Sequence, residues 1–143
     1  MVAAKLDSEL CFALYSASNH LTSIYRPLLQ PLRLTYTQFV VMMALWDEDN
    51  VSISKLAQAV NLSKATMTPL LKRLEHKGFI QVERLANNER QKNVVLTESG
   101  HDISRKSAEI TKQAFCATGL SKQQAKELIA LCKLVVAEPE SDS

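Results

Sequence analysis

The chain has 143 residues, 46% hydrophobic and 22% charged, a balance that suits one globular domain with short extensions. Its formal net charge is +2, and no window approaches the roughly 18 apolar residues of a membrane span. The first apolar stretch is broken by Lys5, Asp7 and Glu9 and carries no cleavage pattern, so neither a secretory signal nor an anchor is expected, and the cytoplasm is the expected location.

Only 3 Gly and 4 Pro punctuate the chain, which points to a mainly α protein. Residues 7–30 form the first expected helix, with Leu10, Leu14, Leu21, Ile24 and Leu28 at helical spacing. Pro27 and Pro31 are expected to end or kink it. Thr35-Tyr36-Thr37-Gln38 resembles a capping box and opens a second helix, FVVMMALW, apolar nearly all round and therefore central. Residues 52–60 give a short third helix through Ile53, Leu56, Ala57 and Val60. After a turn at Asn61-Leu62, Ser63 is placed to cap a fourth helix that runs to about Lys77 and stops at Gly78. Pro69 fits this helix poorly: either the helix kinks there or its regular part begins later. Ile80 and Val82, then Val94 and Leu96, alternate as in a hairpin with LANNERQK as a polar tip. Thr97-Glu98-Ser99-Gly100 leads into a fifth helix through about Phe115, and Gly119 breaks the chain. A second capping box at 121–124 opens a sixth helix carrying Leu128, Leu131, Leu134 and Val135, and the polar tail EPESDS is expected to fray.

Short helix, tight turn, capped helix and basic-tipped hairpin is the layout of a winged helix-turn-helix. In the fourth helix Met67, Leu70, Leu71 and Leu74 share one face, whereas Ala65, Thr68, Pro69, Lys72 and His76 point roughly the opposite way. A small, polar and cationic face suits the major groove of duplex DNA, with the N-terminal residues nearest the base edges. Residues 64–92 carry seven Lys/Arg against three Asp/Glu, a local charge of +4, while the remainder carries −2. The candidate DNA-binding residues are Ser63, Lys64, Ala65, Thr66, Thr68 and Lys72 on the helix, with Arg84 and Arg90 on the hairpin. Lys72 suits a phosphate, and Arg90 suits the minor groove.

Cys11, Cys116 and Cys132 are far apart, and none has a Cys or His partner at zinc-ligand spacing, so neither a disulfide scaffold nor a metal is expected, and no cofactor is implied. Free cysteines are mostly small buried hydrophobes, and Cys132, between Leu128, Leu131 and Val135, reads that way.

Residues 35–100 resemble the MarR-type winged-helix repressors, whose wing signature runs D-x-R and then L-T-x-x-G. Here Asn88-Glu89-Arg90 is followed by Leu96-Thr97-Glu98-Ser99-Gly100, so Asn88 replaces the usual Asp and its ion pair with a wing arginine. The chain is similar in particular to the organic-hydroperoxide sensors of the OhrR type, through ELCFALYSAS, YRPLL, LTYTQ and TPLLKRLE. That resemblance makes Cys11 the peroxide-reactive residue, Tyr25 and Tyr36 its hydrogen-bonding supports, and Cys116 the resolving cysteine of a two-cysteine subclass. It also implies a homodimer built by the terminal arms, with the bond joining Cys11 of one subunit to Cys116 of the other.

The chemistry is self-consistent. A thiolate is the nucleophile that attacks a peroxide O–O bond, and tyrosine hydroxyls and a helix N-terminus favour that anion. The expected division is a dimerisation helix and connector at 1–34, a DNA-binding domain at 35–100 and C-terminal dimerisation helices at 101–143. The expected function is a redox-sensing repressor that binds double-stranded operator DNA when reduced and lets go when an organic hydroperoxide oxidises Cys11. Three alternatives stand beside it: a repressor released by a small aromatic ligand with structural cysteines, a thiol peroxidase enzyme, and a scaffold without a DNA role.

Overall fold

The computed structural model describes residues 2–85 and 88–137, apart from the side chains of 85 and 88–90. The elements follow in order: a 3-10 turn at Leu6–Ser8, α1 (Leu10–Leu29), a 3-10 turn at Gln30–Leu32, α2 (Tyr36–Asp47), β1 (Val51–Ser52), α3 (Ile53–Ala59), α4 (Lys64–His76), β2 (Ile80–Leu85), β3 (Asn88–Leu96), α5 (Glu98–Asp102), α6 (Ser104–Thr118) and α7 (Lys122–Val136).

Local chemistry sets the ends of most of these. Both capping boxes form: the Thr35 hydroxyl accepts from Gln38 N while Gln38 Oε1 accepts from Thr35 N, and Ser121 and Gln124 repeat the pattern on α7. Ser52 and Ser63 cap α3 and α4 through Lys55 N and Thr66 N. Gly78 at φ +85 and Gly119 at φ +76 take the left-handed conformation in which a glycine has no Cβ penalty.

Several expectations need correction. Pro27 does not end α1, which continues to Leu29; the carbonyl that loses its helical partner belongs to the exposed Ser23. The first helix starts at Leu10 rather than at residue 7. Pro69 lies inside one continuous α4 capped at Ser63, because the carbonyl it orphans belongs to the exposed Ala65. The fifth helix is two helices. The Ser104 hydroxyl donates to the His101 carbonyl at 2.6 Å, competing for an acceptor that an unbroken helix would use. The wing is longer than the expected alternation, since β3 already begins at Asn88.

The sheet has three antiparallel strands in the order β1-β3-β2. Ile80 faces Leu96 and Val82 faces Val94 in the hairpin, and Val51 faces Val94 from the other side. β1 was not expected: two residues are too few to show a period of two. The core centres on α2, where Phe39, Val41, Met42 and Leu45 are wholly buried, and it takes in Met67, Leu70, Leu71 and Leu74 of α4. Tyr25 and Leu29 of α1 and Ile110 and Ala114 of α6 join the same cluster. α7 buries nothing: Leu128, Ile129, Leu131, Leu134, Val135 and Val136 are 45–72% exposed.

Candidate nucleic-acid interface and thiol site

The fourth helix divides as its sequence suggests. Its four apolar residues are buried, and Lys64, Ala65, Thr66, Thr68 and Lys72 are exposed. The Ser63 hydroxyl accepts from Thr66 N at 3.1 Å and donates to Thr66 Oγ1 at 3.0 Å, so it is engaged in the cap. Thr68 Oγ1 donates to the Lys64 carbonyl at 3.0 Å, so this hydroxyl is engaged by its own helix. Between α4, the start of α3 and the wing lies an open groove of about 480 Å³ lined by Ser52, Ser54, Lys64, Thr68, Gln91 and Lys92. Sequence reasoning missed Ser54, Gln91 and Lys92 here; only the local charge surplus hinted at Lys92.

On the wing, Arg84 stands directly opposite Lys92 in the β2–β3 register, and both are exposed. Two like charges facing across a strand pair are unfavourable in the protein alone. The side chains of Arg90 and Asn88 lie outside the described residues.

The end of α4 is tied to the rest of the molecule at two points. Lys77 Nζ donates to Gln38 Oε1 at 2.8 Å and to the Arg33 carbonyl, joining the close of α4 to the capping box that opens α2. Burial holds the Lys77 ammonium below its usual range, and Arg33 and Arg73 push it the same way. The LTESG turn is the second tie. Thr97 caps α5 through Gly100 N at 3.1 Å and donates its hydroxyl to the Gly78 carbonyl at 2.6 Å. Trp46 Nε1 donates to the Gly100 carbonyl at 2.9 Å, so the base of the wing is pinned to α2.

Cys11 occupies the second position of α1 and is exposed. Tyr25 and Tyr36 lie together, with ring centroids 4.9 Å apart at 39°, and Phe39 and Trp46 continue the aromatic row into the core. Burial raises the Tyr25 phenol, with Tyr36 beside it adding to the shift, and burial raises Tyr36 likewise. Both therefore stay protonated donors at neutral pH. The sign follows from linkage: an unfolded chain loses these protons first, so stability should fall as pH climbs past about 10. In a Tyr15→Phe variant, which leaves only these two phenols, tyrosinate absorbance should develop above pH 10; development at or below that value would contradict the burial argument.

The two tyrosines and Cys11 are not brought together within one chain. Cys11 and Tyr25 are separated along the same helix by fourteen residues, about 21 Å at 1.5 Å per residue. Cys116 is exposed in the last turn of α6, and Cys132 is half-buried in α7. An apolar cleft of about 480 Å³ lies between α1 and the α6–α7 turn, lined among others by Leu14, Leu21, Ile24, Leu120, Leu128 and Cys132. Among the described residues no three His, Cys, Asp or Glu side chains converge as metal ligands, and no helix is long and apolar enough to cross a membrane.

Comparison with known proteins agrees with this anatomy. Residues 34–92 match the MarR family. The organic hydroperoxide resistance transcriptional regulator of Bacillus subtilis is 36% identical over 124 residues, covering 87% of this chain and 82% of that protein. The HTH-type transcriptional regulator SarZ of Staphylococcus haemolyticus is 37% identical over 132 residues, covering 92% and 90%. Among solved structures, reduced AbfR bound to DNA, a protein of Staphylococcus epidermidis, superposes with a TM-score of 0.74 at 27% identity, covering 92% of this chain and 91% of that one. Helix-turn-helix, wing and flanking helices thus coincide in order and in sequence with a family of transcriptional regulators rather than of enzymes, and the chain belongs to the MarR family, with the organic hydroperoxide resistance regulator among its relatives.

Proposed function

We propose that this protein is a homodimeric repressor that holds double-stranded operator DNA in its reduced form and releases it when an organic hydroperoxide oxidises Cys11. The observation that carries the thiol half is the exposed Cys11 at the start of α1, on a chain whose α7 leaves six large apolar residues uncovered. Such a face on a soluble chain calls for a partner surface, and a second copy supplies the same face. A dimer also resolves the separation of Cys11 from the tyrosines: Tyr25 and Tyr36 of one subunit receive the thiol of the other. Two relatives support the link between oxidation chemistry and DNA binding. The Bacillus subtilis relative is named for organic hydroperoxide resistance, and AbfR has been solved on DNA in reduced and overoxidised forms.

The reaction balances simply. The Cys11 thiolate attacks the distal peroxide oxygen, the O–O bond breaks, and the alkoxide takes up a proton and leaves as the alcohol. Sulfur, oxidised by two electrons, becomes a sulfenic acid. The Cys116 thiol of the other subunit then attacks that sulfur, forms the disulfide and expels water. Closing the bond requires the two Cα atoms to come within about 7 Å, and if they stand farther apart in the reduced dimer, the helices that carry them must move to allow it. That motion disturbs the half-site spacing of about 34 Å on which two winged arms depend.

The exposed face of α4 and the groove beside it carry the DNA half. Ala65, Thr66 and Thr68 meet base edges, while Lys64, Lys72, Arg84 and Lys92 meet phosphates. A phosphate between Arg84 and Lys92 offsets their mutual repulsion. Lys72→Ala should weaken binding to every duplex alike and reduce the slope of log affinity against log salt by about 0.9 per subunit. An unchanged slope would remove Lys72 from the phosphate contacts.

A second reading has its own observation. An open cavity of about 690 Å³ lined by Arg26, Arg33 and Tyr36 suits a small aromatic carboxylate. Release of DNA by salicylate from a Cys11→Ser variant would favour that reading over peroxide sensing.

A further inference from the structure

Glu75 stands on the DNA-facing segment and carries the wrong charge for it. The stretch 64–92 has a net charge of +4, and this exposed carboxylate lies on α4 itself, three residues and less than one turn from Lys72. On electrostatic grounds alone it repels phosphate. Its position has another use. Glu75 Oε2 accepts from the Val82 backbone N–H at 2.9 Å. Among the described residues β2 is the outer strand of the sheet, paired with β3 alone, and the bond to Glu75 shows Val82 N–H turned away from the ladder toward the open edge. The carboxylate ties that edge to the recognition helix seven residues back along the chain.

We propose that Glu75 is a positioning residue for DNA recognition: by bonding Val82 N–H it fixes the angle between recognition helix and wing, so that both reach their own groove of one duplex at once. The assignment rests on the DNA-binding reading above. It deepens that reading by placing specificity partly in a residue that touches no DNA. Two effects of opposite sign meet at this side chain. The charge lowers affinity for any duplex, and the hydrogen bond raises affinity for the duplex whose grooves match the fixed angle. The neighbouring tie at the wing base, Asp49 Oδ1 accepting from Leu96 N at 2.9 Å, holds the other strand of the hairpin, so loss of Glu75 frees the outer strand without unfolding the sheet.

The test uses the reduced full-length dimer and two probes: a duplex selected by the wild-type protein from a randomised pool, and an unselected random duplex of equal length. Glu75→Ala removes bond and charge, and Glu75→Gln keeps an acceptor oxygen while removing the charge. The expected result is that Glu75→Ala binds the selected duplex about fivefold to tenfold more weakly, the worth of one hydrogen bond, and binds the random duplex no more weakly than wild type. Glu75→Gln should retain or improve affinity for both. The inference is overturned if Glu75→Ala holds the selected duplex as well as wild type, if it loses both duplexes in proportion, or if Glu75→Gln falls with Glu75→Ala. Failure of the underlying reading has a separate signature: wild-type protein that selects no sequence and binds without salt dependence.

Discussion

A Cys11→Ser protein should stay on its DNA when an organic hydroperoxide is added. Wild-type protein under the same treatment should lose about 5- to 150-fold in affinity, the usual span of a coupling between two sites. Serine keeps the shape and a hydroxyl donor but has no sulfur to accept an oxygen, so the substitution removes the chemistry and leaves the fold. Cys11 lies outside the buried core of its own chain, and the serine hydroxyl can still meet the tyrosine pair of the other subunit, so the variant should melt within about 2 °C of wild type. The measurement is fluorescence anisotropy of a labelled duplex before and after cumene hydroperoxide. Equal release from the two proteins would remove Cys11 from the sensor. Cys116→Ser separates the two oxidation steps: it should accumulate sulfenic acid at Cys11 and, with excess peroxide, the sulfinic form, without a covalent dimer.

Gly100→Ala should be the most damaging small change in the winged region. A Cβ at this buried position falls 2.2 Å from the Phe79 carbonyl oxygen and 3.2 Å from Leu96 Cδ2. The oxygen is backbone, and it already accepts from Thr97 N at 3.1 Å, so it cannot yield without breaking the turn. Overpacking of this kind costs about 1–3 kcal/mol or more, which lowers the melting temperature by about 5–10 °C in a chain of this size. Binding to duplex DNA should fall as well, because the turn that moves joins the wing to the end of the recognition helix. Gly119→Ala is the contrast: nothing lies within 4 Å of its Cβ, and its φ of +76 charges only the left-handed penalty of about 1 kcal/mol. Equal melting temperatures for the two variants would refute the packing argument. The L-T-x-x-G signature thus has a physical meaning here: Leu96 fills the core, Thr97 caps and ties, and Gly100 alone allows the close approach.

What the sequence made legible was what short segments decide by themselves. The capping boxes at Thr35 and Ser121, the cap at Ser63 and the stop at Gly78 depend on neighbours within four residues, and all appear where their residue types place them. The two faces of α4 follow from helical spacing and needed no partner to be read. Pro69 misled because a proline's cost depends on whether the carbonyl it orphans can reach water, and only the fold exposes Ala65. β1 and the break at Ile103 escaped for the same kind of reason: one exists only by pairing with β3, the other through a serine hydroxyl competing for a carbonyl. Lys77 and Glu75 carried no local mark, since their partners, Gln38 and Val82, lie in other elements. Cys11, Tyr25 and Tyr36 came from a family likeness alone, and a single chain leaves the thiol about 21 Å from its helix-mate Tyr25.

The central claim is a mechanical link between one sulfur and two DNA-binding arms. The most direct measurement adds one equivalent of cumene hydroperoxide per subunit to the reduced dimer on a labelled duplex and divides each time point in two. One half is alkylated and run on a non-reducing gel, with Cys11 followed by peptide mass; the other is read by anisotropy. Loss of DNA should track the consumption of the Cys11 thiol, a covalent dimer joined through Cys116 should follow, and dithiothreitol should restore binding. Release while Cys11 remains a free thiol, or full conversion of Cys11 with the duplex still held, would contradict the account.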